Sequence, residues 1–284
     1  MSPFKQLFII IICFCVGFLL STSVVGVLYL FMHGEYSYKL LLIISSVISF
    51  GLSALFAAKF IGNGEMPFRF MGMAQSPNFV KYILVIAFML AIMPTIEFIS
   101  SLNACYSFPD SMKGIEDFFR AIDESANQST LKALSGEGVG AFVLNLIAIA
   151  ITPAICEEMF FRGVFQKYLV GNMKNPHVAI LITAFIFSAI HMQFSGLVPR
   201  FILGMVLGYL FYMSGSLWLS IVAHVTNNAL VVIVAFFSKD FVTVNSDLGA
   251  YANPWWIAAI VGGLVIAGLV VWLWKRLDAG KSQS

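Results

Sequence analysis

Apolar positions along this chain neither alternate nor form narrow helical stripes. They come in long runs separated by short polar breaks. A helix that crosses a bilayer needs roughly 17–25 predominantly apolar residues. On that measure the pattern predicts eight spans: Leu7–Met32, Leu40–Phe60, Tyr82–Leu102, Gly140–Gln166, His177–Met192, Leu197–Met213, Leu217–Phe236 and Trp255–Trp274. The fifth and sixth are short, and only Gln193, Phe194, Ser195 and Gly196 lie between them. The first run continues to Met32, longer than the apolar region of a cleavable signal peptide, and predicts an uncleaved helix.

Composition agrees with the pattern. Of 284 residues 60% are hydrophobic and 11% charged, with a mean hydropathy of +0.92. A soluble domain carries about a quarter charged residues, so the bilayer is the solvent for most of this chain. The fold class is all-α: one polytopic membrane bundle of about eight helices over residues 1–284. A net charge of +2, thinly spread, excludes a nucleic-acid-binding stripe. Cys13, Cys15, Cys105 and Cys156 show no metal-type spacing and read as structural thiols.

Lys and Arg in the short loops set orientation. With the N-terminus inside, ten of the 16 basic residues fall on the inner side and six, among them Lys39, Arg200 and Lys239, on the outer side. Both termini are thus expected in the cytoplasm, and a bacterial cytoplasmic membrane is the expected location. Met66–Ala74 mixes Phe and Met with Arg69, as suits a headgroup-level segment. Pro109–Glu124 sets Met112, Ile115, Phe119 and Ile122 on one helical face, the pattern of an interfacial amphipathic helix.

Chemistry concentrates in the second half. Glu157 and Glu158 interrupt the fourth run. An ionisable group in the hydrocarbon costs about 2.5–3.5 kcal/mol on insertion scales and normally faces protein or a wet cavity. Arg162, four residues on, meets Glu158 on one helix face. Glu157 points ~100° away and is left for proton transfer. His191 ends the fifth run, and His224 and Asn228 share a face of the seventh. Glu157 lies 16 residues before Met173 and His191 18 after it, or ~24 and ~27 Å up two antiparallel helices at ~1.5 Å per residue. From the turn at Ser214, His224 rises ~15 Å and His191 ~20 Å. The groups converge on one level. A carboxylate there can take a proton from water attacking an amide, an imidazole can orient that water, and a second imidazole with a carboxamide can donate to the oxyanion. Glu157, His191 and His224 could instead hold one divalent metal such as zinc. HExxH is absent, and so is a GxSxG elbow.

The series E-E-x-x-x-R (Glu157, Glu158, Arg162), F-x-x-x-H (Phe187, His191) and H-x-x-x-N (His224, Asn228) resembles that of the CAAX protease and bacteriocin-processing family of intramembrane peptidases, over about Gly140–Val232. The resemblance implies about eight membrane helices, a catalytic core within 140–232, and a membrane-associated or lipidated peptide as substrate. It implies Glu157 as the base that activates water, His191 beside it, His224 and Asn228 on the oxyanion, and Glu158 with Arg162 bracing the site. Two other classes compete with this reading: a catalytically silent scaffold, immunity or maturation partner, and a proton-coupled transporter. Intact motifs favour the enzyme over the scaffold. The lack of paired Gly/Pro breaks in the two halves disfavours the transporter. Glu97 and Asn145 are read as packing contacts, the glycines in Gly204–Gly208 as a close-packing face, and Tyr168 and Trp218 as interfacial anchors.

Overall fold

The computed structural model describes residues 1–74, 76–104, 108–238 and 254–281, all of whose regular structure is helical. Among the described residues six helices are long and apolar enough to cross a membrane. They are α1 (Pro3–Phe31), α2 (Tyr36–Ile61), α3 (Phe79–Asn103), α5 (Gly138–Asn172), α7 (Leu197–Ser214) and α8 (Leu217–Phe237). Helix α4 (Lys113–Leu134) is amphipathic, while α6 (Pro176–Ala189) and α9 (Pro254–Lys281) complete the set. The chain is an all-α, multi-pass integral membrane protein. Each expected span coincides with a helix, but α6 and the apolar part of α9 fall below spanning length among the described residues. Cys105 and Lys239 lie outside the described residues.

Helix α5 is the hub. It runs 35 residues, about 52 Å at α-helical rise and longer than the ~30 Å hydrocarbon core. Two π-helical stretches, Leu146–Ile151 and Met159–Gln166, flank the residues that carry Glu157 and Glu158. Pro153 accounts for the first. It has no N–H to give and crowds the carbonyl four residues back, so the helix widens there. Small residues let neighbours close in on the second. Ala54, Ala57 and Ala58 of α2 are fully buried in the cluster that holds Phe160, Phe161 and Val164. On the other flank a Cβ on Gly204 would stand 3.0 Å from the Ala184 Cα, and one on Gly208 2.8 Å from the Gln166 Oε1. The expected glycine face is a close contact of α7 with α6 and α5.

Two segments between spans do more than line the interface. Of Met66–Ala74, Met71 is fully buried and abuts Gly163, the Gly72 carbonyl accepts from Leu217 N at 3.2 Å, and the Met73 carbonyl from Trp218 Nε1 at 2.8 Å. Trp218 thus fastens this segment to the start of α8, and Tyr168 Oη donates to the Pro3 carbonyl at 3.0 Å. Both hold chain segments together in addition to any interfacial placement. Helix α4 extends ten residues past the predicted end; of the predicted apolar positions, Phe119 and Ile122 are half-buried, while Ile115 and, in the turn before the helix, Met112 are exposed. Asn145 Nδ2 donates to the Leu134 carbonyl at 3.0 Å, closing the end of α4. Glu97 is on an exposed face of α3. Cys13, Cys15 and Cys156 are free thiols, and Cys15 is exposed.

Gly204→Val drives a branched side chain into the α6 backbone and is expected to cost about 1–3 kcal/mol by overpacking. Gly26→Ala, where no atom lies within 4 Å of the added carbon, is expected to be neutral or stabilising. Thermal unfolding in detergent measures both.

Candidate active site

Helix α5 offers two carboxylates on two faces. Glu158 and Arg162 are both fully buried, with Arg162 Nη1 donating to Glu158 Oε1 at 2.7 Å, as their spacing predicts. Arg162 Nη2 reaches across to the Gly204 carbonyl at 3.1 Å, and one turn on Gln166 Nε2 does the same to the Gly208 carbonyl at 2.9 Å. Each glycine leaves its backbone bare to a polar side chain of α5. His224, from α8, places Nδ1 2.9 Å from Glu158 Oε1 and Nε2 3.9 Å from Glu157 Oε2. A carboxylate accepts and cannot donate, so Nδ1 carries the hydrogen and Nε2 faces Glu157. Glu157 keeps some exposure, 13% of its side chain, where Glu158 has none.

His191 follows the end of α6. Its backbone N–H bonds to the Ser188 carbonyl at 3.3 Å, which leaves the Phe187 carbonyl without its usual helical donor. The His191 side chain takes that place, with Nδ1 2.9 Å from the Phe187 oxygen. Nδ1 is therefore the protonated nitrogen, and Nε2 presents a lone pair. The Phe187 ring joins the groups. The Arg162 guanidinium lies 4.5 Å from its centroid, and the His191 and His224 rings meet it edge-on at 5.4 and 5.7 Å. Phe187 thus serves the site through its carbonyl as well as its ring.

Asn228 stands further out. Its Nδ2 lies 3.4 Å from the Ile149 carbonyl, which Pro153 cannot serve, and its Oδ1 accepts from Asn227 at 3.0 Å. The structure therefore joins Glu157, Glu158, Arg162, His191 and His224 through direct contacts or the shared Phe187 ring, with Asn228 held to the adjoining turn of α5.

Two features escaped the sequence reading. Arg200, assigned to the outer loops by its charge, is within electrostatic reach of Glu157 and His191. Its side chain folds back on the 190–196 segment, where Nη2 donates to Gln193 Oε1. The only signal in the sequence was a lone arginine opening an apolar helix nine residues after His191. The second is the clamp on that segment. Asn103 Nδ2 donates to the Phe194 and Ser195 carbonyls at 2.6 and 2.7 Å, and Asp123 Oδ2 accepts from Ser195 N at 3.1 Å. Phe119 and Phe108 pack on Phe194 at 5.6 and 4.9 Å. Irregular backbone at membrane depth needs such internal partners, and α3 and α4 supply them.

Catalytic zinc sites take three protein ligands. Glu157, His191 and His224 do not assemble into such a set. Among the described residues no group of three or more His, Cys, Asp and Glu side chains could hold a metal ion. The donor arrangement does not fit the metal that the sequence left open.

Removing one member of a buried ion pair strands the other, at about 3–5 kcal/mol, whereas removing both is far milder. Arg162→Met is expected to lose about that much stability, and Glu158→Gln/Arg162→Met to regain a large part of it. Denaturation of the purified variants in detergent checks the sign of the coupling.

No curated protein and no solved structure matches the chain. Residues 139–230 match the family model described as Type II CAAX prenyl endopeptidase Rce1-like. That stretch contains all three motifs and every residue joined above. The part of the chain that builds the site is thus similar to a family of intramembrane peptidases, as its motifs had indicated.

Proposed function

We propose that this protein is an intramembrane endopeptidase that hydrolyses a peptide bond of a membrane-associated or lipidated substrate with water activated by Glu157. The observation that carries the reading is the division of labour between adjacent carboxylates. Glu158 Oε1 is engaged by both Arg162 and His224, while Glu157 faces His224 Nε2 across 3.9 Å with no ion-pair partner at hydrogen-bond distance among the described residues.

A water lodged against Glu157 Oε2 gives up its proton to that oxygen as it adds to the scissile carbonyl carbon. His191 Nε2, a lone-pair acceptor because Nδ1–H is engaged by the Phe187 carbonyl, holds the second hydrogen and aims the oxygen. When the tetrahedral adduct collapses, the C–N bond breaks and Glu157 returns its proton to the leaving nitrogen. This is general base and then general acid work by one group. Glu158 and Arg162 act by holding His224 in one orientation. His224 and Asn228 are the groups that the resemblance assigns to the oxyanion. His224 Nε2 can donate there only when the ring carries a second proton. Asn228 must first release its long contact with Ile149.

The similarity of residues 139–230 to prenyl endopeptidases supports a lipid-anchored peptide as the substrate class. The distribution of basic residues supports cytoplasmic termini, and a bacterial cytoplasmic membrane remains the proposed location.

Purified full-length protein in detergent is expected to cleave members of a lipidated-peptide library, and Glu157→Gln to lower kcat by about 10⁴-fold or more, beyond the usual 10²–10⁴ range for a general base because the group acts twice. His191→Ala is expected to lose about 10²-fold. Activity is expected to survive exhaustive chelation. Cleavage retained in Glu157→Gln would refute the assigned base, and loss on chelation restored by zinc would replace this mechanism with a metal-bound one.

A further inference from the structure

A cavity of about 350 Å³ lies between α3, α7 and α9. On α7 its lining includes Val206 and Tyr209 but neither of the glycines that meet α5 and α6. Val206 stands two residues from both Gly204 and Gly208, ~200° around the helix. The body of α7 therefore separates this cavity from Arg162 and the groups around it. Helix α9 leans on α3, where a Cβ on Gly263 would stand 2.0 Å from the Ala91 carbonyl. Met213 and Val271 line the cavity and are exposed, so it opens toward the bilayer.

The walls decide what can fill it. Apart from Tyr209 and Trp274, every lining side chain is Leu, Val, Ile, Phe or Met. Water finds no polar partners there, and an empty cleft forfeits the dispersion contacts of its walls, so the filling is hydrocarbon. The Tyr209 hydroxyl is paired with His177 Nδ1 at 3.0 Å. Trp274 differs: it is 6% exposed, and its Nε1 is buried with no hydrogen-bond partner among the described residues. A buried N–H without an acceptor costs the desolvation of that group. Lys81 Nζ lies over the same indole, 4.4 Å from the ring centroid, and the exposed Lys275 follows in the chain. Helix α3 begins at Phe79, while α7 ends at Ser214 and α9 at Lys281. These two lysines and the indole thus mark one end of the cavity, at one face of the bundle.

We infer that this cavity is a binding site for one anionic phospholipid, with an acyl chain between α7 and α9 and the phosphodiester oxygens accepting from Lys81 Nζ and Trp274 Nε1–H. Two acceptor oxygens on one phosphorus match the two donors. A choline head group would bring its own cation against Lys81 and Lys275, whereas an anionic one leaves their charge to the phosphate. Basic pockets between membrane helices hold anionic head groups in this way. The bound lipid bridges α7 and α9 across the cavity and fastens the last helix to the bundle. The inference is independent of the role of Glu157.

The test uses the full chain, purified in nonionic detergent and delipidated. It is titrated with dioleoyl phosphatidylglycerol, dioleoyl phosphatidylcholine or oleate while native mass spectrometry counts the adducts. Wild type is expected to retain one phosphatidylglycerol per chain and to prefer it to phosphatidylcholine by about fivefold or more, the ratio that one basic side chain supplies. Lys81→Gln is expected to bring the two lipids close to level. Trp274→Phe keeps an aromatic ring but deletes the N–H, and is expected to weaken phosphatidylglycerol binding about tenfold, the effect of losing one hydrogen bond to a charged group. Val206→Trp fills the space and is expected to lose both lipids, together with the rise in unfolding temperature that phosphatidylglycerol gives the wild type. Should Val206→Trp not fold, Val271→Trp obstructs the same cavity from its exposed rim. Equal binding of the two phospholipids by wild type overturns the inference. So does a phosphatidylglycerol adduct that persists in a folded cavity-filling variant, or oleate that displaces phosphatidylglycerol at equal concentration.

Discussion

One buried guanidinium organises the second half of this protein. Arg162 and Glu158 have no exposed side-chain surface, so each charge relies on the protein for what water would supply. Arg162 therefore draws in three neighbours. It needs Glu158 within its own helix, the Gly204 carbonyl from α7 and the face of Phe187 from α6. Glu158 in turn takes the Nδ1–H of His224 from α8. The glycines of α7 follow from this demand, since side chains there would push the carbonyl beyond reach. Even so the pair is not saturated: Glu158 Oε2 and Arg162 Nε have no partner among the described residues. A buried ion pair of this kind is weak evidence for net stability. What it fixes here is the position of four helices around one point.

The second constraint is the break between α6 and α7. A 14-residue helix rises about 21 Å, short of a ~30 Å hydrocarbon core, so the chain must turn while still inside the protein. Left alone, that turn would strand backbone groups at membrane depth. Asn103 and Asp123 prevent it by binding Phe194 and Ser195, and Phe119 covers the junction. The same break serves His191. A helix end leaves carbonyls without donors, and one of these selects the His191 tautomer. An imidazole in mid-helix would have no such acceptor four residues back.

What was legible in the sequence was what repeats at helical spacing. The apolar runs gave the bundle, and the four-residue offset of Glu158 and Arg162 gave their contact before any coordinates. Glycines at 204 and 208 announced a close approach, though not that Arg162 and Gln166 would use their carbonyls. Features that depend on departures from α-helical geometry were hidden. The π-helical stretches of α5 leave no periodic trace beyond Pro153. Arg200 reads as a loop charge until the chain folds it back over Gly196. Trp218 and Met71 were assigned to the interface by residue type, because nothing local says that the 66–74 segment is drawn into the end of the bundle. Length was the better guide for α6: its shortness in the sequence is its shortness in space.

Adjacency of the two glutamates has a geometric logic of its own. Sequence neighbours on a helix differ by ~1.5 Å in height and ~100° in direction, so two carboxylates can share a level without sharing partners. His224 then spans them. Its Nδ1 is pinned by the rigid, ion-paired Glu158, and the width of one imidazole carries Nε2 toward Glu157. A single glutamate could not be both the anchor that orients this ring and the base that the ring faces, because the anchoring carboxylate, Glu158, is fully buried and has lost its access to water. Separating the two by one residue would turn them about 200° apart, onto opposite sides of the helix. Under the proposed reaction the doublet is therefore the shortest arrangement that sets a fixed imidazole against a free carboxylate. It asks of the sequence only that the second glutamate find its arginine one turn on.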